Sequence, residues 1–412
     1  MTNKIIVIVL IISLVVVGCD SKNYNKSEND PLMDSDYEVI FPNNSFSISK
    51  TGICKVESGI AHFWDAATKY GTVLCSKPNC SHEKQKGGIG STCDAFLGNR
   101  VDLLFVKNQS IYYISDMESG NNGLSSIFDR KLMKADINGK NRKTIFEFKD
   151  IQEVGGINCA YVFDEWFTFG YCVSDIRKET DDIVLGKSDK RRAGIYLVNL
   201  ETEKALLINE MIEYGAYCWY PFIDGNKLYY LYSYRTDDVN PMDFDNQEEY
   251  YEKVTDSYRW DLYYYDLKTG NNMLVCRHDG KVTFVSKPSD GYYIFDTDTE
   301  SIFYKDGKEV ARYPINELAD HDPPFICKYV YKDVLYMSDC EKIWSLNIKN
   351  GEKKYLGKGC LDEKNILNVE TIIDGNIYYN IYDPVSSRSS LYMADFNDFI
   401  EGNLENSTLI SF

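Results

Sequence analysis

The stretch "DLYYYDLKTGNNMLV", residues 261–275, reads as a β-hairpin from its residue types alone. A Tyr-rich, aliphatic run ends in Asp266, passes through a polar turn at Lys268-Thr269-Gly270, and returns as a second apolar run. Aromatic and branched residues suit a pleated, half-buried surface, and Gly supplies the positive φ that a tight turn requires. The same pattern begins again at Gly59, Lys131, Gly194, Ser301, Lys342 and Ser390, for example as "SIFYKDGKEVARY" and "KIWSLNIKNGEKKYL". Six of the seven copies follow another hairpin of the same kind, such as "DLLFVKNQSIYYIS" and "ETIIDGNIYYNIYD". Two hairpins make a four-stranded antiparallel unit of about 40–50 residues, the period of a propeller blade. Longer intervals contain that unit plus an insertion.

A single such sheet cannot cover both of its faces, whereas several arranged around an axis can, and closure leaves only short edges. The expected fold is therefore an all-β propeller of four-stranded antiparallel blades over residues 45–412. Seven blades fit the count, and six or eight are the alternatives. "SFSISKTGICKV" is a weak candidate for the opening strands of the first blade. Two β-sandwiches in tandem would also be all-β, but they need no single hairpin motif repeated along the chain.

The Tyr-rich strand, Asp and Thr-Gly or Asn-Gly turn resemble the periplasmic Tol-type propellers and the YWTD-like propellers of low-density-lipoprotein receptors. The segment "CSKPNCSHEKQKGGIGSTC", residues 75–93, brings a closer resemblance, to uncharacterised propeller lipoproteins of anaerobic Gram-positive bacteria. Those carry a Cys-x-Lys-Pro-x-Cys-x-His segment with a later Cys near the N-terminus. The resemblance implies the fold and carries no activity with it.

The N-terminal residues point to export. Lys4 precedes an uncharged apolar run from Ile5 to Val17, the length of a signal-peptide core and too short to span a bilayer. Val16-Val17-Gly18-Cys19 resembles the lipobox of bacterial lipoproteins, which implies cleavage after residue 18 and a lipid on the Cys19 sulfur. Residues 19–44, polar and without period, are expected to form a lipidated cysteine and a flexible tether. The expected location is the outer face of the bacterial cytoplasmic membrane, with the lipid at Cys19 as membrane partner.

The chain has 45 Lys and Arg against 63 Asp and Glu, a net charge of −18. Such a charge repels nucleic acid and anionic lipid surfaces and argues against a DNA or RNA partner. Besides Cys19 there are eleven cysteines, an odd number that a monomer cannot pair completely. Most stand singly in apolar runs, as small buried hydrophobes.

Cys75, Cys80, His82 and Cys93 form Cys-x4-Cys-x-His-x10-Cys, the donor set of a closed structural zinc site. Disulfide pairing among the three cysteines, and free thiols, are the rival readings. Each makes the segment a staple on a long loop. His62, His278 and His321 stand alone and read as packed or surface residues.

The strand bookkeeping sends three insertions (116–130, 174–192 and 234–259) and the cysteine segment to one end of the ring. That end is the expected place for function, because loops on a rigid scaffold carry binding residues. The 234–259 loop is rich in Asp and Glu, which reads as a solvated acidic loop, with a calcium site as the alternative. The 33 tyrosines read as packing between blades, with aromatic platforms for sugar or peptide as the alternative.

The chain lacks a Gly-x-Ser-x-Gly elbow, and its carboxylates are too many to single out a glycosidase pair. No catalytic residue is assigned. The expected role is an anchored binding or scaffold module for a protein, peptide or glycan ligand. A carbohydrate-active lyase or hydrolase is the alternative.

Overall fold

A computed structural model describes residues 38–43, 46–83, 91–98, 101–115, 131–148, 157–174, 190–239, 243–280, 282–286, 288–315, 327–338, 342–358, 366–383, 385–386 and 388–412. The signal-peptide and lipobox residues, with Cys19, lie outside these, as do His321 and the insertion 116–130.

The described chain is mostly β-strand, and every strand pair is antiparallel. Four sheets have four strands each, taken in sequence order from residues 101–147, 282–314, 327–358 and 366–409. A fifth sheet has twelve strands. Its long strand Lys204–Asp224 explains much of that size. Up to Tyr214 it pairs with Lys190–Asn199, and after a register shift it pairs with Lys227–Arg235. One strand thus ends one meander and begins the next.

The hairpin motif forms where the sequence places it. Tyr258–Asp266 and Asn272–Asp279 are the two arms of the opening stretch, with Gly270 in the turn at φ 72°. The Asp266 carboxylate accepts from the backbone N–H of Lys268 and Thr269 at 2.9 and 2.8 Å, the Asx-turn geometry that makes Asp recur there. The weak candidate over residues 45–56 forms a full hairpin, Phe46–Ser49 with Gly52–Glu57. The last copy departs from the pattern. A short helix, Phe396–Glu401, capped by Asp395, fills its turn and leaves a return strand of only Thr408–Leu409.

Part of the stretch 19–44, expected as a tether, belongs to the folded sheet. Glu38–Asn43 is a strand, hydrogen-bonded on one edge to Ile157–Phe163 and on the other to Phe46–Ser49. This insertion fuses two meanders into the twelve-stranded sheet. Val39 and Phe41 pack with Leu103 and Phe105, and the apolar alternation of "EVIF" explains why these residues join the core.

Adjacent sheets pack face to face through aromatic and aliphatic layers. Many buried tyrosines keep their hydroxyls bonded, as expected: Tyr230 donates to Asn272 at 2.6 Å and Tyr379 to Ser407 at 2.6 Å. The first and last sheets also meet. Ile48, Ile53 and Trp64 share a cluster with Ile373, Tyr378, Met393 and Ile410. A Cβ on Gly71 would stand 2.3 Å from the Ser411 carbonyl oxygen, so only glycine permits that approach. Consecutive meanders that return to contact the first make a propeller-like arrangement.

Polar clamps tie neighbouring sheets together. Lys328 and Asp296 form an almost fully buried pair at 2.5 Å, and the Ser301 hydroxyl bonds to both. Removing one partner of such a pair leaves an uncompensated buried charge, at a cost of about 3–5 kcal/mol. Lys328→Ala is expected to lower stability by that order in urea unfolding. The double variant Lys328→Met with Asp296→Leu is expected to recover most of the loss.

Candidate functional site

Two sites stand out. The first is the cysteine segment. The ligand atoms of Cys75, Cys80, His82 and Cys93 all lie within 4.8 Å of one another, and His82 Nδ1 is 3.4 Å from Cys93 Sγ. A tetrahedral ion at about 2.3 Å from sulfur and about 2.0 Å from nitrogen needs donor separations of about 3.5–3.8 Å. The cluster is therefore close to a metal-binding geometry, and the four side chains can hold a metal ion. The three cysteines are free thiols in this structure, so the disulfide alternative is not formed here.

Local structure explains the convergence. Asn79 and His82 both adopt left-handed conformations, φ 56° and 55°, which cost a non-glycine residue of order 1 kcal/mol or more. Lys77 Nζ donates to the Thr92 carbonyl at 2.9 Å, and the Cys93 N–H donates to the Ser91 hydroxyl at 3.1 Å. Burial pushes the Cys75 thiol up, but backbone N–H groups of Lys77 and Asp94 and the neighbouring thiols outweigh it and hold the pKa below its ordinary value. Burial pushes the Cys93 thiol up to about 12.

The segment is more deeply built in than a surface loop. Residues 94–98 run between the first two meanders: Ala61 N–H donates to Ala95 O at 2.9 Å, and Leu97 N–H to Gly59 O at 2.8 Å. Arg142 donates to Asp94 O from the next sheet at 2.5 Å. A Cβ on Gly139, at φ 80°, would come within 1.9 Å of that same oxygen. Cys93, Ala95 and Leu97 are buried with Ile60, Leu104 and Tyr113. Ion loading should therefore stabilise the joint between two sheets. Adding a divalent metal to chelator-treated protein is expected to raise the melting temperature, and Cys80→Ser is expected to abolish the rise.

The second site was not foreseen. A cavity of about 160 Å³ lies where the first strands of several meanders converge. Its walls include Glu38, Tyr161, Tyr220 and Tyr329, with Lys50 and Asp374 on its rim. Lys50, Asp290, Lys332 and Asp374 belong to the tight turns that follow first strands. The cavity thus sits at the tight-turn end. By strand direction the long insertions leave from the opposite end, where the sequence led us to expect function. Within one insertion, Gln247–Ser257 is a helix capped by Asn246, whose side chain accepts from Glu249 N–H at 2.8 Å. Glu248 and Glu249 in its first turn suit the helix dipole, and among the described residues the loop's carboxylates do not gather as metal ligands.

His62 and His278 are packed against Phe412 and against Phe295 and Tyr304, as isolated histidines should be. Tyr161 donates to Glu38 Oε1 at 2.6 Å. Burial raises the Glu38 pKa above the ordinary value, against the lowering effect of the Tyr161 hydrogen bond. A raised carboxyl pKa means the folded state holds the proton longer than the unfolded one. Stability is then lost as pH rises from the ordinary glutamate value through the raised one. Glu38→Gln is expected to be more stable than the unaltered chain at neutral pH, with the gain vanishing below the ordinary glutamate range, as read from urea midpoints across pH.

No protein-family model matches the chain, and no curated protein matches it. Solved structures give weak likenesses. The acylaminoacyl peptidase of Pyrococcus horikoshii aligns over 91% of this chain and 52% of its own, at 10% identity and TM-score 0.49. The present chain therefore spans about half the length of that protein. An oligogalacturonate lyase of Vibrio parahaemolyticus aligns over 87% of this chain and 91% of its own, at 12% identity and TM-score 0.45. Apo AztD of Citrobacter koseri gives 88% and 92%, at 10% identity and TM-score 0.41. At such scores the fold rests on the chain's own strand pairing.

Proposed function

We propose that this chain is a seven-bladed propeller of four-stranded blades that serves as a lipid-anchored binding or scaffold module on the outer face of a bacterial cytoplasmic membrane. The blade count has support in the topology. Four sheets have four strands each, and the twelve-stranded sheet divides into three further meanders plus the strand Glu38–Asn43. The ligand is a protein, peptide or glycan.

The cavity at the tight-turn end carries the binding reading. At about 160 Å³ it is smaller than the several hundred Å³ of a site that engulfs a drug-sized molecule. It suits one projecting group of a larger ligand, received by rigid strands. The chain enters the fold at this same end, since Glu38 pairs with Phe163 beside a tight turn. With a lipid on Cys19, residues 20–37 would reach about 20–25 Å as a flexible tether. The cavity would then face the membrane, and the long-loop end would point away from it.

In this reading the ion at Cys75, Cys80, His82 and Cys93 is a structural zinc. Four protein donors fill a tetrahedral site and leave no open position for a reacting water. Metal analysis of the folded protein is expected to find stoichiometric zinc that disappears in Cys80→Ser. Absence of metal, with a mass reduced by a pair of hydrogens from disulfide formation, would contradict it.

The binding reading is tested by capture from cell-envelope extracts with the full chain in detergent, beside a Lys50→Trp variant that crowds the cavity rim. A protein or glycan retained by the unaltered chain and lost in the variant is the expected result. Retention indifferent to the variant would contradict the role of the cavity. Turnover of a polysaccharide in the same preparation would favour the enzymatic alternative.

A further inference from the structure

The axial cavity joins aromatic walls to a carboxylate that, among the described residues, has no cationic partner. Tyr161, Tyr220, Tyr329 and Tyr331 line it, and Glu38 stands among them. The other charged groups are already engaged. Lys50 Nζ is 3.4 Å from Asp374, Lys305 Nζ is 3.8 Å from Asp290, and Lys332 Nζ lies 5.2 Å from the centre of the Tyr331 ring. Among the described residues, no lysine or arginine forms an ion pair with Glu38. Among the described residues its carboxylate has one hydrogen bond, from the Tyr161 hydroxyl, whereas a carboxylate offers about four acceptor positions.

We infer that this cavity receives an alkylammonium group, whose charge pairs with Glu38 and whose carbon substituents lie against the tyrosine rings. The inference rests on the proposed binding role and names the ligand chemistry for it. Two physical arguments lead there. A carboxylate withdrawn from water without a cation is costly, and a bound ammonium supplies the missing charge. Tyrosine faces carry negative potential, so they attract an ammonium group and also shelter its apolar substituents. An anionic ligand would meet Glu38 directly. A neutral one would leave the carboxylate as costly as before. The strand Glu38–Asn43 has a part in this beyond packing, because pairing on both edges fixes Glu38 at the cavity wall.

The test uses the full chain in detergent micelles, titrated calorimetrically with choline and with 3,3-dimethylbutan-1-ol, its uncharged isostere. Choline is expected to bind more tightly than the alcohol by about tenfold or more, since one good cation–π contact and one charge pair together exceed 1.4 kcal/mol. Glu38→Gln, confirmed as folded by circular dichroism, is expected to bring the two affinities together. Equal binding of both probes to the unaltered chain would overturn the inference and leave the cavity as a binding site without charge preference. Binding of neither probe would also overturn it, and envelope capture with the Lys50→Trp variant would then decide the binding role separately.

Discussion

A four-stranded sheet with apolar side chains on both faces can cover neither face alone. Everything else in this molecule follows from that constraint. Each meander here must find a neighbour on each side, and the first and last must find each other. Trp64 and Ile53 do so against Met393 and Tyr378, while Gly71 lets the backbone at Ser411 approach to contact. The buried layers between sheets are hydrophobic, with tyrosine hydroxyls led out to polar partners at their rims. Specific polar clamps then fix the spacing: Lys328 with Asp296 and Ser301, and Asp333 with Lys305, Lys349 and the Tyr292 hydroxyl.

Convergence of the first strands creates a second demand, because the space they surround must be filled or used. Part of it is filled by Glu38–Asn43, which satisfies edge hydrogen bonds on two meanders at once. The remainder is the cavity. The same strand thus closes an edge, packs Val39 and Phe41 into the core, and delivers a carboxylate to the cavity wall. Burial raises the Glu38 pKa, so this residue lowers stability as pH rises through its titration.

Much of this was legible in the chain. Tyr-rich runs, recurring Asp and Gly at turns, and the spacing of repeats located the hairpins nearly to the residue, because side-chain period and turn chemistry are local properties. The Cys75, Cys80, His82 and Cys93 set was legible as a donor list, and the structure brings those four together. What escaped was non-local. Glu38 belongs to a short "EVIF" run after a polar stretch, and nothing local shows that two distant edges are waiting for it. The cavity draws a few residues from each of several meanders, so no window of sequence contains it. The burial of residues 94–98 between sheets likewise depends on Gly59 and Gly139, whose roles appear only when distant backbones meet. The helix at Gln247–Ser257 was hidden by reading its acidic residues as loop, although Asn246 and the two first-turn glutamates are a helix start.

Both the filled axis and the cavity wall depend on Glu38–Asn43 being an integral strand. Hydrogen exchange of the backbone amides under native conditions measures this directly. The amides within Glu38–Ile40 should be protected to the same degree as those of Tyr161–Phe163, with which they pair. Exchange of residues 38–40 at the rate of unstructured chain, with Tyr161–Phe163 still protected, would contradict it.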